Sequence, residues 1–247
     1  QHVAVALFTF LGLVSEPLLH TNGTQKALCE ARNDLSLRFP AEVLNDLCEL
    51  FNAYLRRLIH GVDLVDLDEL GALRGPIVVV DSTLATPLCQ RPLDHGAHIS
   101  LHSATKGIAG HNDATLGVIS GEKELIDSIW SYAVLHGATP SPFDALNGLR
   151  GIRTLSVRTT QQAGSAMVLA EVLSDHPAVS AVHYPGLSSH PQAELAKRQM
   201  RNGGTVLSVE LAGGAPATRR FLSAVRLFRV ATSLGGTETL VCHPATT

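Results

Sequence analysis

Apolar positions along the chain switch between short unbroken runs and helical spacings, and that alternation predicts an α/β protein. The clearest run is Ile-Val-Val-Val at 77–80. Four apolar β-branched residues with no polar break predict a strand buried on both faces of a parallel sheet, and the run ends on a carboxylate, Asp81. A second strand is predicted at 98–102, leading into Ser103-Ala104-Thr105-Lys106-Gly107. A third follows at 116–120, and 122–135 has the spacing of an amphipathic helix carrying Trp130 and Tyr132. The turn cluster His-Gly-Ala-Thr-Pro-Ser-Pro precedes helices at 143–151 and 153–173. Strands at 178–184, 205–211 and 227–231, with helices at 190–200 and 215–224 between them, predict a second α/β unit.

Upstream, apolar residues at 43, 44, 47, 50, 51, 54, 55 and 58 lie on one side of a predicted helix over 42–59. The uncharged run 3–14 is too short to span a bilayer and has no basic residues ahead of it. It reads as a core element, neither a membrane helix nor a signal peptide. The chain of 247 residues has 19 Lys and Arg against 22 Asp and Glu and no basic block, which argues against a nucleic-acid partner. Its four cysteines, at 29, 48, 89 and 242, form no CxxC pair, so reduced thiols and a cytoplasmic setting are expected. His98 and His102 share a strand face with Ser100 between them, but no third ligand stands at a suitable spacing, and no metal is expected.

The candidate chemistry lies at the strand ends. Open α/β sheets bind ligands beyond the carboxyl ends of their strands, and both Asp81 and Lys106 fall there. A lysine entering a pocket sheds hydration and becomes a nucleophile toward carbonyl carbon. Ser103 and Thr105 offer hydroxyls to a phosphate, and a carboxylate opposite can stabilise a protonated ring nitrogen. Together these are the usual parts for pyridoxal 5'-phosphate. Each has an ordinary alternative: Asp81 as a strand-end turn residue, Lys106 as a solvated surface lysine. Further on, the two glycines of Ser233-Leu234-Gly235-Gly236 permit a tight turn and close approach to a ligand.

The segments VVVDSTLATPLCQRPLDHGA and HSATKGIAGHNDATLGVI stand in the order and spacing of a known family. They resemble the central part of the cystathionine γ-synthase, cystathionine lyase and methionine γ-lyase family of pyridoxal-phosphate enzymes, and the resemblance runs over 62–247. It implies an aminotransferase-like (fold type I) architecture, with a large, mostly parallel-sheet domain over 1–152 and a smaller C-terminal α/β domain over 153–247. It further implies that Lys106 carries the cofactor covalently, Asp81 pairs with its ring nitrogen, Ser103 and Thr105 bind its phosphate, and Ser233 lies on the substrate side. Ser82 departs from the family, which more often has Asn there. A homodimer or homotetramer with shared sites is also implied.

The family's upstream glycine turn and ring-stacking tyrosine have no clear counterpart: residues 21–24 read as a helix cap and Tyr54 as core. A discontinuity near 61–62 is therefore expected. The resemblance puts the arginine that clamps the substrate carboxylate past His-Pro-Ala-Thr-Thr, and Arg150, Arg153 and Arg158 are read as surface or interdomain pairs. The expected reaction is γ-replacement on an O-acylhomoserine with cysteine. A lyase acting on cystathionine or methionine shares every residue named, and a relative with an incomplete site is the reading from another class.

Overall fold

The computed structural model describes residues 64–75 and 77–243. The elements expected at 3–14, 21–24 and 42–59, Tyr54, and the discontinuity expected near 61–62 lie outside them.

The first described helix, α1 (Leu67–Gly71), starts where the Asp66 carboxylate accepts the backbone N–H groups of Asp68 and Glu69, at 3.0 and 3.3 Å. Strand β1 (Val79–Asp81) follows, then the short helix α2 (Thr86–Cys89), a 3-10 turn (Pro92–His95) and β2 (Ile99–Ser103). β1 and β2 pair in parallel, with Val79 opposite Ile99 and Asp81 opposite Leu101. Strand β3 (Gly117–Gly121) returns antiparallel to β2, so the sheet order is β1-β2-β3. In β2 the side chains of Ile99, Ser100 and His102 are buried, whereas β1 is half-buried along its length and Val78 just ahead of it is buried. Among the described residues β2 has a strand on either side and is the better buried, whereas β1 has a partner strand on one side and is half-buried.

Helix α3 (Lys123–Leu135) buries none of its residues, and Trp130 and Tyr132 are exposed. Helix α4 (Pro142–Ile152) begins with the Ser141 hydroxyl accepting the Asp144 N–H and with Pro142 in the first turn, where its missing N–H is no loss. Helix α5 (Leu155–Ser174) presents Ala163, Ala166 and Ala170 along one side. These small side chains let it approach Tyr184 and Leu187 closely. Its other end sends Leu155 into a cluster with Ala104 and Ile108, so α5 runs from one apolar core to the other.

Strand β4 (Val179–His183) pairs antiparallel with β5 (Ser208–Leu211), with α6 (Ala193–Gln199) between them. Helix α7 (Gly214–Ala224) leads to β6 (Arg229–Val230), which pairs in parallel with β7 (Leu240–Val241). The Gln192 and Gln199 side chains bind the backbone of residues 64–67 like a short strand: Gln192 Oε1 accepts the Leu64 N–H at 2.6 Å, and Gln199 Nε2 donates to the Val65 carbonyl at 2.9 Å. Arg198 reinforces them through Asp66 and Asp68. Among the described residues no helix is long and apolar enough to cross a membrane.

Candidate active site at the ends of the parallel strands

Strand β1 stops at Asp81 because the next residues turn back onto its carboxylate. Asp81 Oδ1 accepts the Thr83 N–H at 2.9 Å and the Thr83 hydroxyl at 2.5 Å. That same hydroxyl oxygen accepts the Ser103 N–H at 2.7 Å. Thr83 therefore ties the end of β1 to the end of β2 and fixes one carboxylate oxygen. The other oxygen, Oδ2, makes no hydrogen bond to a described residue. Beside it His102 is buried, its Nε2 3.3 Å from the Ser100 hydroxyl. Burial lowers its pKa against the opposing pull of the Asp81 charge and the Ser82 carbonyl, which keeps the imidazole neutral at neutral pH.

Past β2 the chain makes a compact turn. The Ala109 N–H donates to Ala104 O and the Gly110 N–H to Lys106 O, both at 2.8 Å, and residues 107–110 are buried. Lys106 Nζ donates to Ser233 Oγ at 3.2 Å. The loop carrying Ser233 reaches this close because Gly235 lies at φ +80°, where a Cβ would come within 2.4 Å of Gly107 N. The Thr105 hydroxyl is occupied by Leu116: it donates to the carbonyl at 3.3 Å and accepts the N–H at 3.0 Å. The Ser103 hydroxyl makes no hydrogen bond to a described residue. Beneath the turn Thr86 is held at φ +64°, a left-handed conformation uncommon for a β-branched residue, and its buried hydroxyl has no partner among the described residues.

Two side chains of α5 grip these pieces. Arg158 donates to the carbonyls of Gly107 (2.8 Å), Ile108 (3.1 Å) and Gly151 (2.8 Å), and Gln162 donates to the Gly236 carbonyl at 2.6 Å. These contacts cross the boundary expected at 152–153, and the partners of Arg158 are main-chain oxygens in place of a carboxylate. Helical spacing shows which side of α5 it occupies, not what lies against that side.

The structure brings Lys106 together with Ser233, and Asp81 with the Ser103 backbone through Thr83. Sequence reasoning passed over Thr83 and Gln162 and gave Arg158 no part in the site. The Asp-x-Thr spacing after a strand, a familiar side-chain turn, was a signal for Thr83; nothing local marked the other two. Two further histidines take backbone partners: His98 Nδ1 accepts the Val78 N–H at 2.9 Å, and His111 Nδ1 lies 2.7 Å from Ala109 O. No group of three or more metal-binding side chains occurs among the described residues.

Asp81 closes β1 and Lys106 follows the end of the adjacent parallel strand β2, which puts both at the carboxyl end of an α/β sheet, where such sheets keep their ligand sites. The chain belongs to the family of Cys/Met metabolism PLP-dependent enzymes, whose model matches residues 56–247. It is 44% identical over 189 residues to an L-methionine gamma-lyase of Pseudomonas putida, covering 76% of this chain and 48% of that protein. It is 43% identical over 191 residues to a cystathionine gamma-synthase of Mycobacterium tuberculosis, covering 76% and 49%. Among solved structures it is similar to cystathionine gamma synthase from Xanthomonas oryzae pv. oryzae in complex with aminoacrylate and cysteine. That likeness has a TM-score of 0.72 at 42% identity and covers 74% of this chain and 48% of the other. The chain spans about half the length of the curated relatives it matches.

Proposed function

We propose that this chain carries the cofactor lysine of a pyridoxal-phosphate enzyme of sulfur amino-acid metabolism, and that its reaction is γ-replacement on an O-acylhomoserine with cysteine, giving cystathionine. The observation that carries the proposal is the 3.2 Å hydrogen bond from Lys106 Nζ to Ser233 Oγ, made beside the ends of two parallel strands. The cofactor fits the polar groups at those ends. Among the described residues Asp81 has Oδ2 without a hydrogen bond while Thr83 holds Oδ1, which suits a carboxylate that receives a ring N–H. The Ser103 hydroxyl likewise has no hydrogen bond to a described residue and is open to the phosphate, and Thr105 can turn to it by releasing a long 3.3 Å bond.

When bound, pyridoxal phosphate supplies an electron sink for negative charge at the substrate carbon next to the amine. Lys106 holds the cofactor, then takes the proton from that carbon at Nζ as general base. Ser233 accepts from Nζ and so orients it between those two tasks. Asp81 keeps the ring nitrogen protonated by its charge.

A lyase acting on cystathionine or methionine is the second reading, favoured by a lyase and a synthase among the relatives at nearly equal identity. Product analysis with O-succinylhomoserine plus cysteine, set against cystathionine alone, separates the two. Cystathionine from the first mixture supports replacement; keto acid from cystathionine alone, with no product from the first, supports elimination. No product from either, with no cofactor bound, would leave a relative with an incomplete site.

We place the large cofactor-binding domain through residue 152 and the smaller domain from 153, in the cytoplasm, with the chain assembled as a homodimer or homotetramer sharing its sites. Support for a covered surface comes from α4, where Phe143, Leu146, Leu149 and Ile152 recur every third residue and are all exposed.

A further inference from the structure

We infer that Arg158 and Gln162, one turn apart on α5, are positioning residues that hold the Lys106 turn and the Ser233 loop in register, an inference that rests on the proposed roles of Lys106 and Ser233.

The guanidinium of Arg158 is spent almost wholly on the main chain. Nη1 donates to Gly107 O, Nη2 to both Ile108 O and Gly151 O, and Nε to Thr154 Oγ1 at 3.0 Å. Among the described residues no carboxylate pairs with it. Burial lowers its pKa, yet an arginine stays charged, so carbonyl dipoles must balance a half-buried cation. Carbonyls held by that planar fork cannot rotate away without stranding the charge. Gly110, at φ +69°, makes room for it: a Cβ there would lie 1.8 Å from Nη1. The two carbonyls of the turn that Arg158 holds belong to the residues directly after Lys106.

Four residues along the same helix, Gln162 Nε2 donates to Gly236 O at 2.6 Å and so fixes the loop that delivers Ser233. Positions i and i+4 share a helix face, so one rigid face grips both halves of the Lys106–Ser233 pair. Neither side chain contacts Lys106 Nζ or Ser233 Oγ among the hydrogen bonds described. They act through the backbone. Lysine does not reproduce this fork, because its donors share one nitrogen whereas Nε, Nη1 and Nη2 of Arg158 reach four acceptors.

The test compares the full chain with Arg158→Lys, Gln162→Leu and a control, Gln161→Ala, whose side chain reaches only the exposed Ser165 hydroxyl. Each protein is loaded with pyridoxal phosphate. Three quantities are read: borohydride-fixed cofactor on the Lys106 peptide by mass spectrometry, visible circular dichroism of the bound cofactor, and kcat and KM for whichever of the two reactions the wild type performs. Arg158→Lys is expected to slow fixation and lower kcat by roughly tenfold to a hundredfold, the scale of a misplaced reacting group. Gln162→Leu is expected to leave fixation unchanged, alter the dichroism and lower kcat by roughly tenfold with KM within about threefold. Gln161→Ala should match the wild type. Wild-type kcat and dichroism in both Arg158→Lys and Gln162→Leu would overturn this inference alone. If Arg158→Lys does not fold, Gln162→Leu decides by the same criteria. A wild type that fixes no cofactor at Lys106 overturns the proposed function, and this inference with it.

Discussion

The segment 99–110 is less apolar than the helices α3 and α4 taken together, yet it is the better buried of the two regions. Along 99–110 strand β2 is largely buried, and the turn after it is held from two sides, by Arg158 and by the loop at Gly235. Helix α3 buries nothing, Leu135 is 82% exposed and Phe143 of α4 is 79% exposed. A site that must hold reacting groups within a few tenths of an ångström is fixed by contacts from distant parts of the chain. Exposed apolar side chains on α3 and α4 fit the proposed assembly, in which a second surface would cover them. The expected consequences differ accordingly: changes near 99–110 should act on chemistry and stability, and changes at the exposed apolar positions of α3 and α4 on assembly.

The largest effect is expected at Lys106. Lys106→Ala should abolish turnover while leaving the far-UV circular dichroism unchanged, because the turn that carries it is held by backbone hydrogen bonds and by Arg158. Near-normal turnover in that variant would end the proposed mechanism. Asp81→Asn should come next: cofactor stays bound, measured by its visible absorbance, and the rate falls by orders of magnitude as the charge at the ring nitrogen is lost.

Gly151→Ala tests how tightly α4 is pressed on the Lys106 turn. A Cβ at Gly151 would lie 2.2 Å from Ala109 O, and backbone on both sides must shift to accept it. A loss of roughly 1–3 kcal/mol is expected from such overpacking, read by calorimetry. An unchanged Tm would mean the turn yields more easily than its hydrogen bonds imply.

Tyr184 offers a milder change with a pH signature. Its hydroxyl donates to Gly204 O at 2.9 Å with Ala163 O at 3.3 Å, and burial, helped by the charge of Cys89, pushes its pKa up to about 12. An unfolded tyrosine titrates near about 10, so above that pH the unfolded chain releases its proton while the folded chain keeps it. Stability is therefore lost as pH rises from about 10 toward 12. Tyr184→Phe should cost about 1 kcal/mol at neutral pH and should lack this part of the alkaline loss in urea titrations.

The smallest effect on stability is expected where the chain is least covered. Leu135→Glu with Phe143→Glu should change unfolding free energy by no more than about 0.5 kcal/mol. Light scattering should nevertheless report smaller particles than the wild type. Unchanged size in a wild type shown to be oligomeric would move the interface off α3 and α4.

Much of the fold was legible in the apolar pattern, since strands and helices announce themselves through periods of two and 3.6 residues. Every element expected from 77 onward has a counterpart with ends shifted by a few residues, and at α4 the start is fixed by the Ser141 cap. The exposure of α3 was not legible, because an amphipathic pattern specifies an apolar side and not its cover.

By itself, then, the sequence determined that Asp81 and Lys106 stand at or just past the ends of two strands, and that a Ser-Leu-Gly-Gly turn is available near residue 233. Those are local properties, written in runs of β-branched residues and in glycines. Only the tertiary structure decided that Ser233 meets Lys106, that Thr83 joins Asp81 to Ser103, and that Arg158 and Gln162 grip the turn and the loop from one helix face. Contacts between residues far apart in the chain depend on how glycines at positive φ, small helix side chains and carbonyls freed at a turn fit together in space. Periodicity along the chain carries no information about that fit.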